Sequence, residues 1–122
     1  VIPVALLLFQ ANSVTPPAMM DLAPAKAIAA HSRVLSGYPI SADYPRGALA
    51  RDAQGVSQVR LRIEVNGTAR DCQVIRSSGD AELDFAACQI TTTRTRFAPA
   101  IDVDGKPTVE YVILPIRWAI GG

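Results

Sequence analysis

The stretch SQVRLRIEVNGTARDCQVIR, residues 57–76, decides the fold. Its opening residues alternate without a break: Val59, Leu61, Ile63 and Val65 fall on one side, Gln58, Arg60, Arg62 and Glu64 on the other. A repeat of two is the signature of a half-buried strand. Asn66-Gly67 follows, and because both residue types accept positive φ the chain is expected to reverse there into a second strand, Thr68 to Arg76. A two-residue turn sets Cys72 opposite Leu61 on the core face, whereas a longer loop over Glu64 to Gly67 shifts that register. The sequence leaves both turns open.

Working outward, Ser77-Ser78-Gly79-Asp80 is a turn rich in N-cap residues. Beyond it Leu83, Ala86, Ala87 and Ile90 recur at helical spacing, which predicts a short amphipathic helix from Ala81 to about Thr92. The Thr91-Thr92-Thr93 run marks its end, since β-branched residues disfavour helix. Arg96 to Ala100 leads into a polar turn, Asp102 to Pro107, and then a last strand, Thr108 to about Trp118. Pro115 cannot donate to a ladder and so assigns that strand to an edge or a bulge. Upstream, Pro45 at the start of Arg46 to Arg51 fits one helical turn, closed by Gly55. The expected class is therefore α+β: a small antiparallel sheet of about three strands in the order β-β-α-β, one main helix packed on one face, and a short helical turn before the first strand.

The remaining residues read as follows. Residues 1–25 form a leader whose apolar start, Val1 to Phe9, reads as the core of an export signal; a truncated membrane anchor and a buried apolar strand are the alternatives. Nine residues fall short of the ~20 needed to cross a bilayer. Residues 26–37 read as a linker with one short helix around Lys26 to Leu35, residues 38–118 as the folded domain, and 119–122 as a tail.

A length of 122 residues with 49% hydrophobic content suits one domain with a modest core. Twelve basic residues against eleven acidic ones supply no overall field to draw in nucleic acid, an anionic membrane or an acidic substrate. In an exported chain the even pair Cys72 and Cys88 favours a structural disulfide over two buried thiols, with roughly 3 kcal/mol expected from closing a loop of that size. A lone C-x15-C pair and one distant histidine, His31, give no zinc pattern, and Asp102, Asp104 and Gly105 lack the ligand series of a calcium loop. No metal and no cofactor are expected. Catalysis is not expected either: Ser77 and Ser78 have no histidine within the predicted domain, and Asp80, Glu82 and Asp84 simply suit the positive end of a helix. Arg94 and Arg96 beside Phe97 read as solvated charge, Trp118 as a core aromatic and His31 as an exposed linker residue.

Taken in order, Tyr44-Pro45, Arg76-Ser77-Ser78-Gly79, Leu83-Asp84, Arg96-Phe97-Ala98-Pro99-Ala100, Asp104-Gly105-Lys106-Pro107 and Pro115-Ile116-Arg117-Trp118 resemble the C-terminal domain of the TonB family, over roughly Tyr38 to Trp118. The resemblance implies a periplasmic domain that grips the TonB-box peptide of an outer-membrane receptor. It also implies an inner-membrane tether and motor proteins of the ExbB/ExbD kind that supply the energy. The alternative is a soluble periplasmic module of the same fold that binds a peptide or protein without motor coupling. The sequence departs from the family in its short linker and incomplete anchor, and its cysteine pair resembles one subgroup of such domains.

Binding of this kind is β-augmentation, in which an extended peptide adds to an exposed sheet edge. The candidate edge is the last strand, Thr108, Val109, Glu110, Tyr111, Val112, Ile113 and Leu114. Val109, Tyr111 and Ile113 are expected on one face, Glu110, Val112 and Leu114 on the other, and Pro115 is expected to stop the pairing. An exposed edge in so small a sheet also invites a homodimer.

Overall fold

The structure is a computed structural model that describes residues 26–121. The signal or anchor reading of the leader lies outside those residues. In chain order the elements are β1 (Ile28–Ala30), β2 (Arg33–Ser36), a 3-10 turn (Ser41–Asp43), α1 (Arg46–Ala50), β3 (Gly55–Ile63), β4 (Ala69–Arg76), α2 (Ala81–Thr93), β5 (Arg96–Ala98), β6 (Ala100–Asp102), β7 (Pro107–Thr108) and β8 (Glu110–Trp118). The main sheet is antiparallel with strand order β4-β3-β8 and α2 over one face, as the β-β-α-β pattern predicts. Two smaller antiparallel ladders, β1-β6-β7 and β2-β5, add to it.

Strand β3 carries the core. Ser57, Val59, Leu61 and Ile63 are fully buried, and they meet Leu83 and Ala87 of α2, Phe97 of β5, and Ile116 and Trp118 of β8. Each large apolar side chain buried this way contributes about 1.5–3 kcal/mol relative to exposure. Val65 does not continue the stripe: it sits in the turn and is half exposed. There the longer of the two expected loops is the one observed. Gly67 N–H donates to Glu64 C=O at 2.9 Å and Glu64 N–H to Thr68 C=O at 2.8 Å, so three residues cross over, with Gly67 at φ 85°. A type I turn followed by a left-handed residue is the usual form of a three-residue hairpin. Gly67 is required sterically as well, because a Cβ there would stand 2.4 Å from the Phe97 carbonyl oxygen.

Helix α2 starts on Asp80, whose side chain accepts from the amides of Glu82 (2.9 Å) and Leu83 (3.1 Å). The three threonines are helical to Thr93, and each hydroxyl is satisfied by donating to the carbonyl four residues back, at 2.8, 2.7 and 2.6 Å. Cys72 of β4 and Cys88 of α2 are joined in a disulfide with Cα atoms 5.6 Å apart, which ties the helix to the sheet.

The expected helix around Lys26 to Leu35 is absent; those residues form β1 and β2. Ile28 and Ala30 pair with β6, and Arg33 to Ser36 with β5. Ala and Lys favour helix locally, but the carbonyls and amides of β5 and β6 supply partners along this whole stretch, and tertiary pairing overrides the propensity. Gly37 then turns the chain at φ 77°, in a place where a Cβ would lie 2.6 Å from the Arg94 carbonyl oxygen.

Candidate functional site

Strand β8 is an edge of the main sheet. On its inner side it pairs with β3 through nine consecutive residue pairs, Gly55↔Trp118 to Ile63↔Glu110, without a register shift. On its outer side no strand is paired with it among the described residues. Residues of one parity in an antiparallel strand turn both N–H and C=O to the same side. The Pro115 carbonyl accepts from the Tyr38 hydroxyl at 2.8 Å, which marks its parity as outward. Tyr111 and Ile113 therefore also present amide and carbonyl outward. Pro115 costs the inner ladder nothing, as expected of an edge proline. The opposite edge, β4, is less regular: its pairing with β3 shifts register twice, and Asp71 sits at φ 53°.

The predicted site residues divide in an instructive way. Glu110, Tyr111, Val112, Ile113 and Leu114 lie on β8, whereas Thr108 belongs to β7, where it pairs with Ala100, and Val109 falls between the two strands. The strand thus begins two residues later than the expected Thr108. Val112 and Leu114 pack on the core, and Tyr111 and Ile113 are more than half exposed, at 52% and 59%.

Both ends of the open run are held by the segment that precedes the domain's first helix. At one end the Glu110 carboxylate accepts from Ser32 N–H (2.8 Å) and Ser32 Oγ (2.7 Å) and contacts His31 Nδ1. Burial pushes the Glu110 pKa up, but the Ser32 donors and His31 outweigh it and hold the carboxyl below its usual range. At the other end Tyr38 caps Pro115. Four residues, Tyr111 to Leu114, stay clear between them, about 13 Å of strand.

Behind the edge, a polar network locks α2 to the sheet. Asp84 Oδ1 accepts from Ser57 Oγ (2.8 Å), Ser78 N–H (2.9 Å) and Ser78 Oγ (2.8 Å), and Oδ2 accepts from Ser77 Oγ. Trp118 Nε1 donates in turn to Ser57 Oγ at 3.2 Å. Burial raises the Asp84 pKa, yet these hydroxyl and amide donors prevail and lower it. Tyr44 packs edge-on against Trp118, with ring centroids 5.4 Å apart, and its hydroxyl donates to the Ala53 carbonyl. Ser77 and Ser78 thus serve as donors to a carboxylate, and His31, at Glu110, is not within this network. The turn at Asp102 is a polar hairpin, with its carboxylate accepting from the amides of Asp104 and Lys106 at 2.9 and 3.0 Å.

The sequence profile described as Gram-negative bacterial TonB protein C-terminal matches residues 41–120. The chain belongs to the TonB C-terminal family. The domain is similar to the solution structure of the Pseudomonas aeruginosa TonB C-terminal domain, at 26% identity and a TM-score of 0.59, over 75% of this chain and 88% of that one. Among curated proteins, none matches the chain in sequence. The general role of the TonB C-terminal family is energy transduction in the periplasm of Gram-negative bacteria. Its motifs in this chain have evident structural duties: Tyr44 packs edge-on against Trp118, Ser77-Ser78 and Asp84 form the helix lock, and Asp104-Gly105 makes the turn before β7.

Two features escaped sequence reasoning. Arg94 is not merely solvated: it grips Asp43 with two parallel bonds, 2.8 and 2.6 Å, and holds the Asp43 carboxyl below its usual range. Its partner lies 51 residues away, a separation at which no local pattern signals a pair. Nor did the balanced charge total reveal that arginines gather on the open face of the sheet, which only the strand register brings together.

Proposed function

We propose that this domain binds the TonB-box peptide of an outer-membrane receptor by adding it as a further strand to β8, and that this grip couples inner-membrane energy to transport. The observation that supports the reading is the unpaired outer side of β8, where Tyr111 and Ile113 offer amides and carbonyls in regular register. Backbone pairing supplies the affinity and the alternating side chains the selectivity. Pro115 and Tyr38 set the far limit of the added strand.

The test is an amide-resolved NMR titration with a TonB-box peptide. The reading expects the largest shifts at Tyr111 and Ile113 and smaller ones at Val112 and Leu114. Ile113→Pro removes one outward N–H while sparing the inner ladder, as Pro115 does two residues on, and should weaken binding about fivefold, the worth of one lost hydrogen bond at about 1 kcal/mol. Unperturbed β8 amides at saturating peptide would sink the proposal.

A further inference from the structure

The face of the main sheet opposite α2 is open to solvent, and the register of β3 with its two neighbours assembles five arginines on it. Arg62 and Arg70 stand directly opposite each other, Arg60 and Arg76 lie farther along β3 and β4, and Arg117 faces Val56 from β8. Neighbouring strands are about 4.8 Å apart and β3 runs about 20 Å from Val56 to Arg62, so these residues share a patch of roughly 10 by 20 Å. Both lysines lie elsewhere: Lys26 pairs with Asp104, and Lys106 is in the turn before β7. Every cation of the face is therefore an arginine.

Little in the chain offsets this charge. Glu64 lies near Arg62 and Arg70, at 3.4 and 3.9 Å, and is shared between them; Asp71 borders the face beside Arg60 without pairing to it. The opposition of Arg62 and Arg70 is unfavourable between like charges, and Arg62 Nε is buried without a hydrogen-bond partner. Arg60, Arg76 and Arg117 form no ion pair among the described residues. Five guanidiniums less two carboxylates leave three unbalanced charges on one side of a chain whose net charge is only +1. Arg60 is also ordered there: it lies over the Tyr111 ring, 4.4 Å from its centroid, and its Nη1 donates to Gln73 Oε1 at 3.1 Å.

Apolar side chains stand among these cations. Tyr111, Ile113, Pro115 and Val56 are exposed on the same face, opposite Arg62, Arg60, Gln58 and Arg117 respectively. We propose that this face docks on an anionic phospholipid surface, with the arginines on lipid phosphates and Tyr111, Ile113 and Val56 at the boundary between headgroups and acyl chains. Guanidinium forks match phosphate oxygens in pairs. The apolar stems of the arginines can lie among lipid while their charged ends stay at the phosphates, and tyrosine favours the same interfacial level. Nine unbroken β3–β8 pairs keep the face regular, and a bilayer demands no matching relief from it. An acidic protein surface would instead set carboxylates against Tyr111, Ile113, Pro115 and Val56, where they lose water and gain no partner. The face is distinct from the outer side of β8, so lipid docking goes beyond the edge reading and stands or falls without it.

The test is co-sedimentation of the full chain with vesicles of phosphatidylcholine alone and with about 30% phosphatidylglycerol added. The uncharged stretch Val1 to Phe9 is common to every protein compared, so it cancels from the preference between the two vesicles. Each arginine near an anionic surface is worth about fivefold in affinity, and three unbalanced charges therefore give a preference of about hundredfold at roughly 0.1 M NaCl. Near 0.5 M NaCl, where exposed charges are screened, the preference should fall below about tenfold. The Arg60→Gln, Arg76→Gln, Arg117→Gln triple variant should reduce it to within about threefold of unity. Arg46→Gln, on α1 beside α2 and away from this face, should retain it. Far-UV circular dichroism checks that the triple variant is folded; if it is not, Arg117→Gln alone carries the test, with a loss of about fivefold. Equal binding to both vesicles, or a preference that survives in the folded triple variant, would overturn the proposal. So would soluble polyglutamate that binds the native chain more tightly than the anionic vesicles and fails to bind the triple variant, since the face would then be one for an acidic protein.

Discussion

Replacing Asp84 by alanine should cost the domain about 3 kcal/mol, a large share of the 5–15 kcal/mol typical of a small fold. The figure comes from the partners left behind. Asp84 accepts from four groups, of which Ser77 Oγ is exposed and finds water, whereas Ser57 is fully buried and the Ser78 amide is partly so. Ser78 Oγ retains the Asp80 carbonyl at 3.1 Å, so the two donors that lose their charged acceptor without replacement are the Ser57 hydroxyl and the Ser78 amide, at about 1.5–3 kcal/mol for each such bond, with the sum reduced by relaxation of the loop. In a domain of this size the loss corresponds to a fall in Tm of roughly 12–24 °C. Urea unfolding followed by Trp118 fluorescence reads it directly, since Trp118 is the sole tryptophan and bonds to Ser57. Because the folded Asp84 pKa lies below its unfolded value, its contribution is fully present above about pH 4 and fades as pH falls through the folded pKa. The difference between native and variant should therefore shrink in acid, while Asp43, Asp80, Asp102 and Glu110, common to both proteins, cancel. A loss below about 1 kcal/mol at pH 7, or a difference that persists unchanged at pH 2, would refute this account of the network.

Three further outcomes are expected. Gly67→Ala, which forces a Cβ against the Phe97 carbonyl at positive φ, should destabilise by about 2 kcal/mol in the same unfolding assay, whereas Gly105→Ala, with open space around it, should cost less. Reduction of the Cys72–Cys88 bridge, or its replacement by two alanines, should lower stability by about 3 kcal/mol in denaturant titrations with and without reductant. Glu110→Gln should speed hydrogen exchange at the amides of β2 while leaving the β3–β8 ladder protected; the native protein should show the same change as pH drops below the ordinary carboxylate range, since its Glu110 pKa is depressed.

Much of the main sheet was readable because its information is local. The alternation of Val59, Leu61 and Ile63, the Asn66-Gly67 reversal, the helical spacing of Leu83, Ala87 and Ile90 and the single awkward Pro115 each act within a few residues. The edge strand followed from that last residue, though its start did not: Thr108 is claimed by Ala100, a contact no pattern in the strand encodes. Strands β1 and β2 were illegible for a related reason. Ala27, Ala29 and Ala30 carry helix propensity and no alternation, and they become extended only because β5 and β6 offer an unpaired flank. The arginine face needed three strands in register before Arg70, Arg76 and Arg117 could be seen beside Arg60 and Arg62.

The paired N-terminal segment also defines a load path. Tension entering the domain at Lys26 first meets the Lys26–Asp104 ion pair and the Val103–Ala27 backbone bond, and then, after β1, the grip of His31 and Ser32 on Glu110. Glu110 is also the first residue of β8, next to the open run. A pull that unzips this segment as far as Ser32 therefore ends at the strand where a partner would be held, and releases a carboxylate at its margin. Were a partner held on β8 as proposed, traction on this segment and the grasp of the partner would meet at one side chain, Glu110.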